Sequence, residues 1–204
     1  MRDLKCMDVQ KEYQVQLPGL ITERLLLRRL EQTDAADFVN LRCDILVNQY
    51  LNRPKTITMP EAKAYIDKIE NGLNKKWFYW AICLKDNPML IGTVCLWNFN
   101  KKNESADVGY ELAPAFQGKG LMQEALLKIV EFGFETADFK RIIAYTHSGN
   151  ERSKSLLQKA GFVRDLSLEK ELHESDRHSN DTVYSLMHTT FFLKHRVKFS
   201  IQGN

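Results

Sequence analysis

Residues 108–122 read VGYELAPAFQGKGLM, and this stretch of the chain says most about the fold. It passes from an apolar segment typical of a strand, through a turn at Pro114, to a loop flanked by Gly118 and Gly120. Glycine lets a backbone turn sharply and approach a ligand closely. The apolar residues that follow at helical spacing predict a helix whose first free N–H groups can hold a phosphate or pyrophosphate. The other interpretation of the two glycines is a purely structural turn.

Two common phosphate-binding motifs do not fit this loop. A P-loop requires GxxxxGK[ST], but Lys119 is followed by Gly120, and no glycine stands five residues before Gly118. A dinucleotide-binding fingerprint requires GxGxxG, but Gln123 stands where the third glycine belongs. The sequence therefore disfavours a protein that uses this loop for ATP or NAD.

The composition bounds the class of protein. The chain has 204 residues, of which 44% are hydrophobic, and a formal net charge of +3. This length suits one domain, and so small a charge does not indicate a nucleic-acid surface. The N-terminus lacks the apolar core of a signal peptide, and the longest apolar runs are too short to span a bilayer. We therefore expect a cytoplasmic protein that binds neither nucleic acid nor membrane. No bound metal or disulfide framework is expected either, because no CxxC or CxH pattern contains the four cysteines, Cys6, Cys43, Cys83 and Cys95.

The pattern of apolar residues predicts a mixed α/β domain. Strands are predicted over 21–30, 77–84, 89–97, 104–112, 141–146, 162–168 and 183–188, with an antiparallel meander in the middle. Helices are predicted over 34–46, 58–72, 121–134 and 150–159, the second of them beginning with a capping box from Thr58 to Glu61. Residues 172–181 are predicted to form a loop. The simplest partition is an N-terminal arm over 1–19, one domain over 20–189 and a C-terminal tail over 190–204.

Five motifs, taken in order along the chain, carry a family resemblance. The loop QGKGLM at 117–122 resembles the acyl-CoA loop of the GNAT N-acetyltransferase superfamily. Four further segments resemble its RimJ/RimL-like branch, which includes acetyltransferases of ribosomal-protein N-termini. These segments are TERLLLR at 22–28, IGTV at 91–94, GYEL with Pro114 at 109–114, and NERS at 150–153 followed by GF at 161–162.

The resemblance implies a fold and a site for acetyl-CoA. The fold is a mixed, mostly antiparallel α/β (α+β) sheet flanked by helices and splayed between its central strands at 104–112 and 141–146. Backbone groups of Tyr110 and Leu112 would pair with the pantetheine arm of CoA, and Asn150 would contact CoA, cap its helix, or do both. The pyrophosphate would lie on the loop formed by Gln117, Gly118, Lys119, Gly120, Leu121 and Met122.

The resemblance also implies acetyl transfer to a primary amine. Many members protonate the departing thiolate with a tyrosine four residues before the glycine of GF, but Leu157 stands there and cannot donate. The branch points instead to Ser153, which could equally be a helix-capping serine. Glu171 is the candidate general base. Its rivals are Asp107, Glu111, His147 and His173.

The acceptor is left open between a protein N-terminal amine and a small amine such as a polyamine or aminoglycoside. The aromatic residues Trp77, Tyr79, Trp80 and Trp97 are expected in the core, with some of them lining an acceptor groove. A homodimer is compatible with the resemblance. The alternative function is a non-catalytic acyl-CoA-binding module, which would need residues 117–122 but neither Ser153 nor a base.

Overall fold

The computed structural model describes residues 17–72, 77–174 and 180–193. Most of the predicted arm over 1–19 and tail over 190–204 lies outside these ranges. The strands are β1 (Leu20–Ile21), β2 (Leu25–Arg29), β3 (Trp77–Leu84), β4 (Asn87–Asn100), β5 (Ser105–Leu112), β6 (Arg141–His147), β7 (Val163–Arg164) and β8 (Asp181–Met187). The helices are α1 (Ala35–Cys43), α2 (Met59–Gly72), α3 (Leu121–Glu135), α4 (Glu151–Lys159) and α5 (Leu166–Glu174).

The strands form one mixed sheet in the order β1-β2-β3-β4-β5-β6-β8-β7. Neighbours pair antiparallel except β5 and β6, which run parallel. Their parallel ladder pairs only Ser105 to Asp107 with Arg141 to Ile143, at the start of both strands. Beyond it, β5 stays paired with β4, and β6 stays paired with β8. Among the described residues the sheet is therefore split between its two central strands, as expected.

Each face of the sheet packs against different helices. On one face, α3 covers the larger core, where the rings of Phe78 and Trp80 meet the ring of Phe132 edge to face. On the other face, α1 and α2 cover a smaller core that contains Phe38, Ile66 and the strand residues of opposite parity. This alternation follows from the two-residue period of a strand. It places neighbouring residues of β5 in two different environments.

Local hydrogen bonds set the ends of the first two helices. The predicted capping box of α2 is confirmed: Thr58 N–H donates to Glu61 Oε2 at 2.8 Å, and Glu61 N–H donates to Thr58 Oγ1 at 3.4 Å. The prediction that the first helix continues to residue 46 is wrong, because Asp44 is extended. Its carboxylate instead accepts from the N–H groups of Leu46 and Val47, and this Asx turn ends α1 at Cys43.

The segment after α4 also differs from its prediction. Only Val163 and Arg164 of the predicted strand over 162–168 pair with β8. Asp165 then caps a helix, because its Oδ1 accepts from Leu168 N–H at 3.1 Å and its carbonyl accepts from Glu169 N–H at 3.0 Å. Part of the predicted loop over 172–181 is therefore α5 and β8, while residues 175–179 lie outside the described ranges.

Candidate active site

The edge of β5 that faces the split is open beyond Asp107. Alternate residues of an antiparallel ladder point their backbone groups at the same neighbour. Ala113 N–H, just past β5, donates to the carbonyl of Ile91 on the β4 side at 2.8 Å. By this alternation, the backbone groups of Tyr110 and Leu112 face the split. They lie where an extended, hydrogen-bonding arm of a ligand could pair as an added strand.

The loop beyond this edge has the geometry that the predicted anion site requires. Gly118 and Gly120 have φ values of 75° and 76°, a left-handed conformation that favours glycine. The first helical hydrogen bond runs from Glu124 N–H to the carbonyl of Gly120 at 3.1 Å. The N–H groups of Leu121 and Met122 therefore precede the helical ladder and have no partner within the helix. A β-carbon built on Gly118 would meet no heavy atom within 4 Å, so the loop leaves space for a ligand to approach its backbone.

Side chains from distant segments hold this loop in place. Arg24 Nη1 donates to the carbonyl of Lys119 at 2.9 Å. Arg24 also pairs with Glu124 at 2.7 Å, and Thr22 donates to the same carboxylate at 2.5 Å. Burial raises the pKa of Glu124, but the bonds from Thr22 and Arg24 outweigh it and hold the pKa below its usual range. Glu124 thus stays ionised and fixes Arg24 beside the loop.

Gln117 links the loop to the open edge and to α4. Its amide nitrogen donates to the carbonyl of Leu112 at 2.8 Å, and its Oε1 accepts from Arg152 Nη1 at 3.0 Å. Of the two Leu112 backbone groups expected to face the pantetheine arm, the carbonyl therefore already has a donor. The exposed Lys119 and Arg152 add positive charge next to the helix start. This end of the split suits a polyanion.

Two hydroxyl groups meet beside the split. Tyr110 Oη and Ser153 Oγ lie 2.8 Å apart. Burial raises the pKa of Tyr110 to about 12, although the bond to Ser153 lowers it in part. Asn150 Oδ1 accepts from Ser153 N–H at 3.1 Å, so Asn150 caps α4 and orients its first turn. The Tyr110 hydroxyl was not among the candidate groups predicted from the sequence, where only the backbone of this residue was a candidate binding group.

A cavity of about 360 Å³ lies on the face of the sheet opposite α3, between the strands β3–β5 and the helices α1 and α2. Its floor includes Gly109, Tyr110 and Glu111 of β5, the strand that also borders the split. Three of the four aromatic residues singled out from the sequence line it, whereas Trp80 is in the α3-side core. The lining consists of Arg42, Leu51, Arg53, Tyr65, Lys68, Ile69, Trp77, Tyr79, Thr93, Cys95, Trp97, Gly109, Tyr110 and Glu111.

Glu111 is the centre of an ionic cluster in this cavity. Its carboxylate lies 2.8 Å from Arg42 Nε and 2.7 Å from Arg53 Nη2, and it accepts from Thr93 Oγ1 at 3.1 Å. Only 7% of the Glu111 side chain is exposed. Both carboxylate oxygens are thus already engaged. This arrangement suits a structural or binding role for Glu111 better than the role of a base.

Arg42 and Arg53 are held by further contacts. The guanidinium of Arg42 lies 4.8 Å from the centre of the Phe38 ring and 4.9 Å from that of Tyr65. Arg53 Nε donates to Asn48 Oδ1 at 2.8 Å. These arginines could not be predicted from the sequence, because no local motif links residues 42 and 53 to residue 111.

Asp107 is buried at the root of the split, on the same face as Glu111. It belongs to the last pair of the parallel ladder, opposite Ile143, and its side chain accepts from Asn98 Nδ2 at 2.8 Å. Burial raises its pKa to about 6, and the bond from Asn98 opposes only part of this rise. A carboxylate with a pKa near neutrality can both take up and release a proton, as a general base must.

The other predicted bases lie elsewhere. Glu171 is exposed on α5. Burial raises the pKa of Tyr145 on β6, and the negative charge of Glu171 adds a small part of this rise. His147 stacks against Tyr50, and its Nδ1 accepts from Gly149 N–H at 3.0 Å. His173 Nε2 lies 2.9 Å from the carbonyl of Asp181. The two histidines are therefore engaged in local contacts.

Two other features are absent from the described residues. None of the helices there is both long and apolar enough to cross a membrane. No cluster of three or more His, Cys, Asp or Glu side chains in those ranges could hold a metal ion.

Residues 24–163 match the family model described as "Acetyltransferase (GNAT) domain". The chain is 32% identical over 152 residues to the uncharacterized N-acetyltransferase p20 of Bacillus licheniformis, covering 72% of this chain and 85% of that protein. It is 26% identical over 155 residues to the [ribosomal protein uS5]-alanine N-acetyltransferase of Escherichia coli (strain K12), covering 72% and 78%. The chain belongs to the GNAT acetyltransferase family.

The fold agrees with this assignment. The spermidine N-acetyltransferase of Vibrio cholerae, solved in complex with CoA and spermine, superposes with a TM-score of 0.67 at 18% identity. The match covers 82% of this chain and 98% of that structure. The expected splayed, mostly antiparallel sheet, the resemblance to the RimJ/RimL-like branch and the activity of an acetyltransferase are thereby confirmed.

Proposed function

We propose that this acetyltransferase moves an acetyl group from acetyl-CoA to a primary amine that attacks the thioester directly. The observation that carries the proposal is the continuity of the open β5 edge with the glycine loop. Backbone groups at Tyr110 lead to the free N–H groups at the start of α3. An extended arm followed by a pyrophosphate matches the two parts in the same order.

The residues of the split fit acetyl-CoA. The edge at Tyr110 and Leu112 would hold the pantetheine arm, with the Leu112 N–H as the free group of that residue. The loop from Gln117 to Met122 would hold the pyrophosphate, with Lys119 and Arg152 offsetting its charge. Asn150 acts on this site indirectly, by capping the helix that carries Ser153.

When bound, acetyl-CoA supplies a thioester whose carbon–sulfur bond breaks as the amine nitrogen takes the acetyl group. Two proton transfers accompany this step: the first removes a proton from the amine, and the second brings a proton to the sulfur. Ser153 and Tyr110 form the hydroxyl pair that supports the second transfer. Tyr110 stays protonated at neutral pH, because its pKa is raised to about 12. It can therefore pass a proton through Ser153 or donate directly. An N–H on the open edge of β5 can stabilise negative charge on a carbonyl oxygen.

The proton that leaves the amine needs an acceptor. The sequence proposes Glu171, and this assignment stays a prediction. Asp107 is the stronger candidate, because it lies at the root of the split and has a pKa of about 6. Glu171 is exposed on α5, so its environment differs little from that of other surface carboxylates. We propose Asp107 as the base, acting directly or through a water molecule.

The relatives support an amine acceptor without choosing one. The Escherichia coli relative is named for an alanine of ribosomal protein uS5, and the Vibrio cholerae structure for spermidine. A protein N-terminal amine and a small amine therefore both remain within the proposal. Named acetyltransferases give no support to a non-catalytic CoA-binding module. A homodimer and a cytoplasmic location stay predictions.

The proposal is tested by incubating the protein with acetyl-CoA and a panel of amines, and by measuring thiol release together with the mass of the acetylated product. Gly118→Ala tests the loop, because an alanine there is strained without any clash. We expect the variant to bind acetyl-CoA about tenfold more weakly. Gly19→Ala is the control, since Gly19 lacks the left-handed conformation. Turnover without amine dependence, or equal CoA affinity for both variants, would contradict the proposal.

A further inference from the structure

The cavity on the α1 and α2 face has an uneven charge. Three cationic side chains line it, from Arg42, Arg53 and Lys68, against the single carboxylate of Glu111 among its described lining residues. Glu111 pairs with both arginines, so it balances only one of the three positive charges. The described lining therefore carries two positive charges in excess. A polycationic guest would be repelled by such a cavity, whereas an anionic group would be attracted.

Two of these cations have unused binding capacity. Arg53 Nε donates to Asn48 Oδ1 and its Nη2 donates to Glu111 Oε2, but its Nη1 forms no hydrogen bond with any described residue. Lys68 is exposed on α2 and forms no ion pair with any described residue. An anionic ligand group could accept hydrogen bonds from both of these cations, and such charge-assisted bonds are stronger than bonds between neutral groups. The positive end of the cavity is therefore not saturated by the protein's own groups.

The rest of the cavity favours a ligand with a flat or apolar middle part. Aromatic side chains from β3, β4 and α2 form its walls, among them Trp77, which is held by a bond from its Nε1 to the carbonyl of Ile69 at 2.7 Å. The volume of about 360 Å³ suits a small molecule or the first residues of a peptide. Gly109 and Tyr110 lie on the floor and also border the split. A guest in the cavity can thus present an amine toward the split.

We propose that the acceptor is an amine that also carries a carboxylate or comparable anionic group, bound by Arg53 and Lys68. This inference rests on the proposed function, because it treats the cavity as the acceptor site of the same reaction. The amine end of the acceptor lies toward Gly109 and Tyr110. The anionic end lies toward α2 and the segment between α1 and α2. Polyamines are poor acceptors in this arrangement.

Three acceptors that share one aromatic scaffold and differ in charge test the proposal. 4-(Aminomethyl)benzoate, benzylamine and 1,4-bis(aminomethyl)benzene share a ring and a primary amine, but the opposite end is anionic, neutral or cationic. We expect kcat/KM to fall in that order, by about tenfold or more from the first to the last. An equal or reversed order would overturn the inference.

Two lysines of α2 provide matched variants. Lys68→Glu reverses a charge that lines the cavity, and Lys63→Glu reverses an exposed charge that does not line it. We expect Lys68→Glu to lower the preference for the benzoate over the diamine by about threefold or more, and Lys63→Glu to leave that preference unchanged. Both lysines are exposed, so neither substitution disturbs the core. Equal effects of the two variants would count against a role for Lys68.

A binding measurement separates this inference from the proposed function. The benzoate and the diamine are titrated calorimetrically into the CoA-loaded protein and into its Lys68→Glu variant. If no amine is acetylated but the benzoate binds preferentially and the variant loses this preference, the proposed function fails and the anionic site stands. If acetylation occurs but neither turnover nor binding favours the anionic acceptor, the proposed function stands and the inference of an anionic site fails.

Discussion

Two buried carboxylates on one strand have opposite surroundings. Asp107 and Glu111 both lie on β5 and point to the same face of the sheet. Glu111 is paired with two arginines and a threonine hydroxyl. Asp107 accepts from Asn98 only, among the described residues, and burial raises its pKa to about 6. Only four positions apart on one strand, Glu111 is thus held as a charged carboxylate, whereas Asp107 can exchange a proton near neutral pH.

The different surroundings of the two carboxylates suit Glu111 to a binding role and Asp107 to proton transfer. A buried acid that lacks a cationic partner is held at the expense of stability, and such groups concentrate at functional sites. Glu111 holds the arginines of the cavity in place, whereas Asp107 stands at the root of the split, where we propose that the amine loses its proton. The predictions below test this division of roles.

The largest expected effect is on catalysis at Asp107. Asp107→Asn keeps the size of the side chain and can still accept from Asn98, but it cannot take up a proton at neutral pH. We expect kcat to fall by about 100- to 1000-fold, the range for loss of a general base, with little change in acetyl-CoA affinity. Steady-state kinetics and calorimetric titration with CoA measure the two quantities.

Glu171→Gln is the matched test of the base predicted from the sequence. If Asp107 is the base, this exposed substitution changes kcat less than about threefold. A large loss in Glu171→Gln together with an active Asp107→Asn would reverse the assignment and restore Glu171.

The next effect is on stability at Glu111. Glu111→Gln leaves two largely buried guanidiniums without their counter-charge, and we expect the free energy of unfolding to fall by about 3 kcal/mol. Urea denaturation measures this change. Lys170→Gln is the control, because Lys170 pairs with Glu174 on α5 while 79% and 66% of the two side chains are exposed. Loss of this pair costs less than about 1 kcal/mol. Equal losses in the two variants would mean that the cavity cluster is no stronger than a surface pair.

The raised pKa of Asp107 also makes stability depend on pH. Its folded-state pKa of about 6 lies above the ordinary value of 3.8, so the folded state holds this proton more tightly than the unfolded state. The resulting stabilisation is fully present below pH 3.8 and is lost as the pH rises through about 6. Asp107→Asn avoids this loss and should be more stable than the parent at about pH 8, by up to about 3 kcal/mol.

The comparison between pH values isolates the ionisation. The stability advantage of Asp107→Asn over the parent should shrink steadily as the pH is lowered toward about 4. An advantage that stays constant with pH would come from packing and not from the charge of Asp107.

The smallest effects are expected at the hydroxyl pair. Ser153→Ala and Tyr110→Phe each remove one hydroxyl, and we expect each to lower kcat by about tenfold. If the two hydroxyls act as one relay, the double variant loses little more than either single variant. If the kcat loss of the double variant equals the product of the two single losses, the two hydroxyls act separately. Unchanged turnover in Ser153→Ala would leave this serine only the role of a residue in the first turn of α4.

Features set by neighbouring residues could be predicted from the sequence. The capping box from Thr58 to Glu61 and the left-handed glycines of the loop depend on a few consecutive residues, and both were found. The helix after Asp165 depends equally on local capping, and Asp165 followed by Glu169 was a signal that the sequence analysis missed. The strand predicted there was favoured by its apolar residues, although β8 pairs with only two of them.

The candidate site depends on contacts that are distant in sequence. Arg53 and Glu111 are 58 positions apart, and Tyr110 and Ser153 are 43 positions apart. No spacing rule connects such pairs, because the sheet brings them together only after its strands are paired. The family resemblance indicated the loop at 117–122 as a candidate CoA site, but it gave no information on the charge of the cavity or on the burial of Asp107.

The short parallel ladder between β5 and β6 has a consequence for the order of folding. The antiparallel meander from β3 to β5 closes through turns of a few residues, whereas Ser105 pairs with Arg141 only after α3 has been spanned. Closing a longer loop loses more chain entropy, and three residue pairs return little of it. We therefore expect the two halves of the sheet to join late. The split, at which we propose that this enzyme binds its ligands, would then also be the last part of the sheet to form.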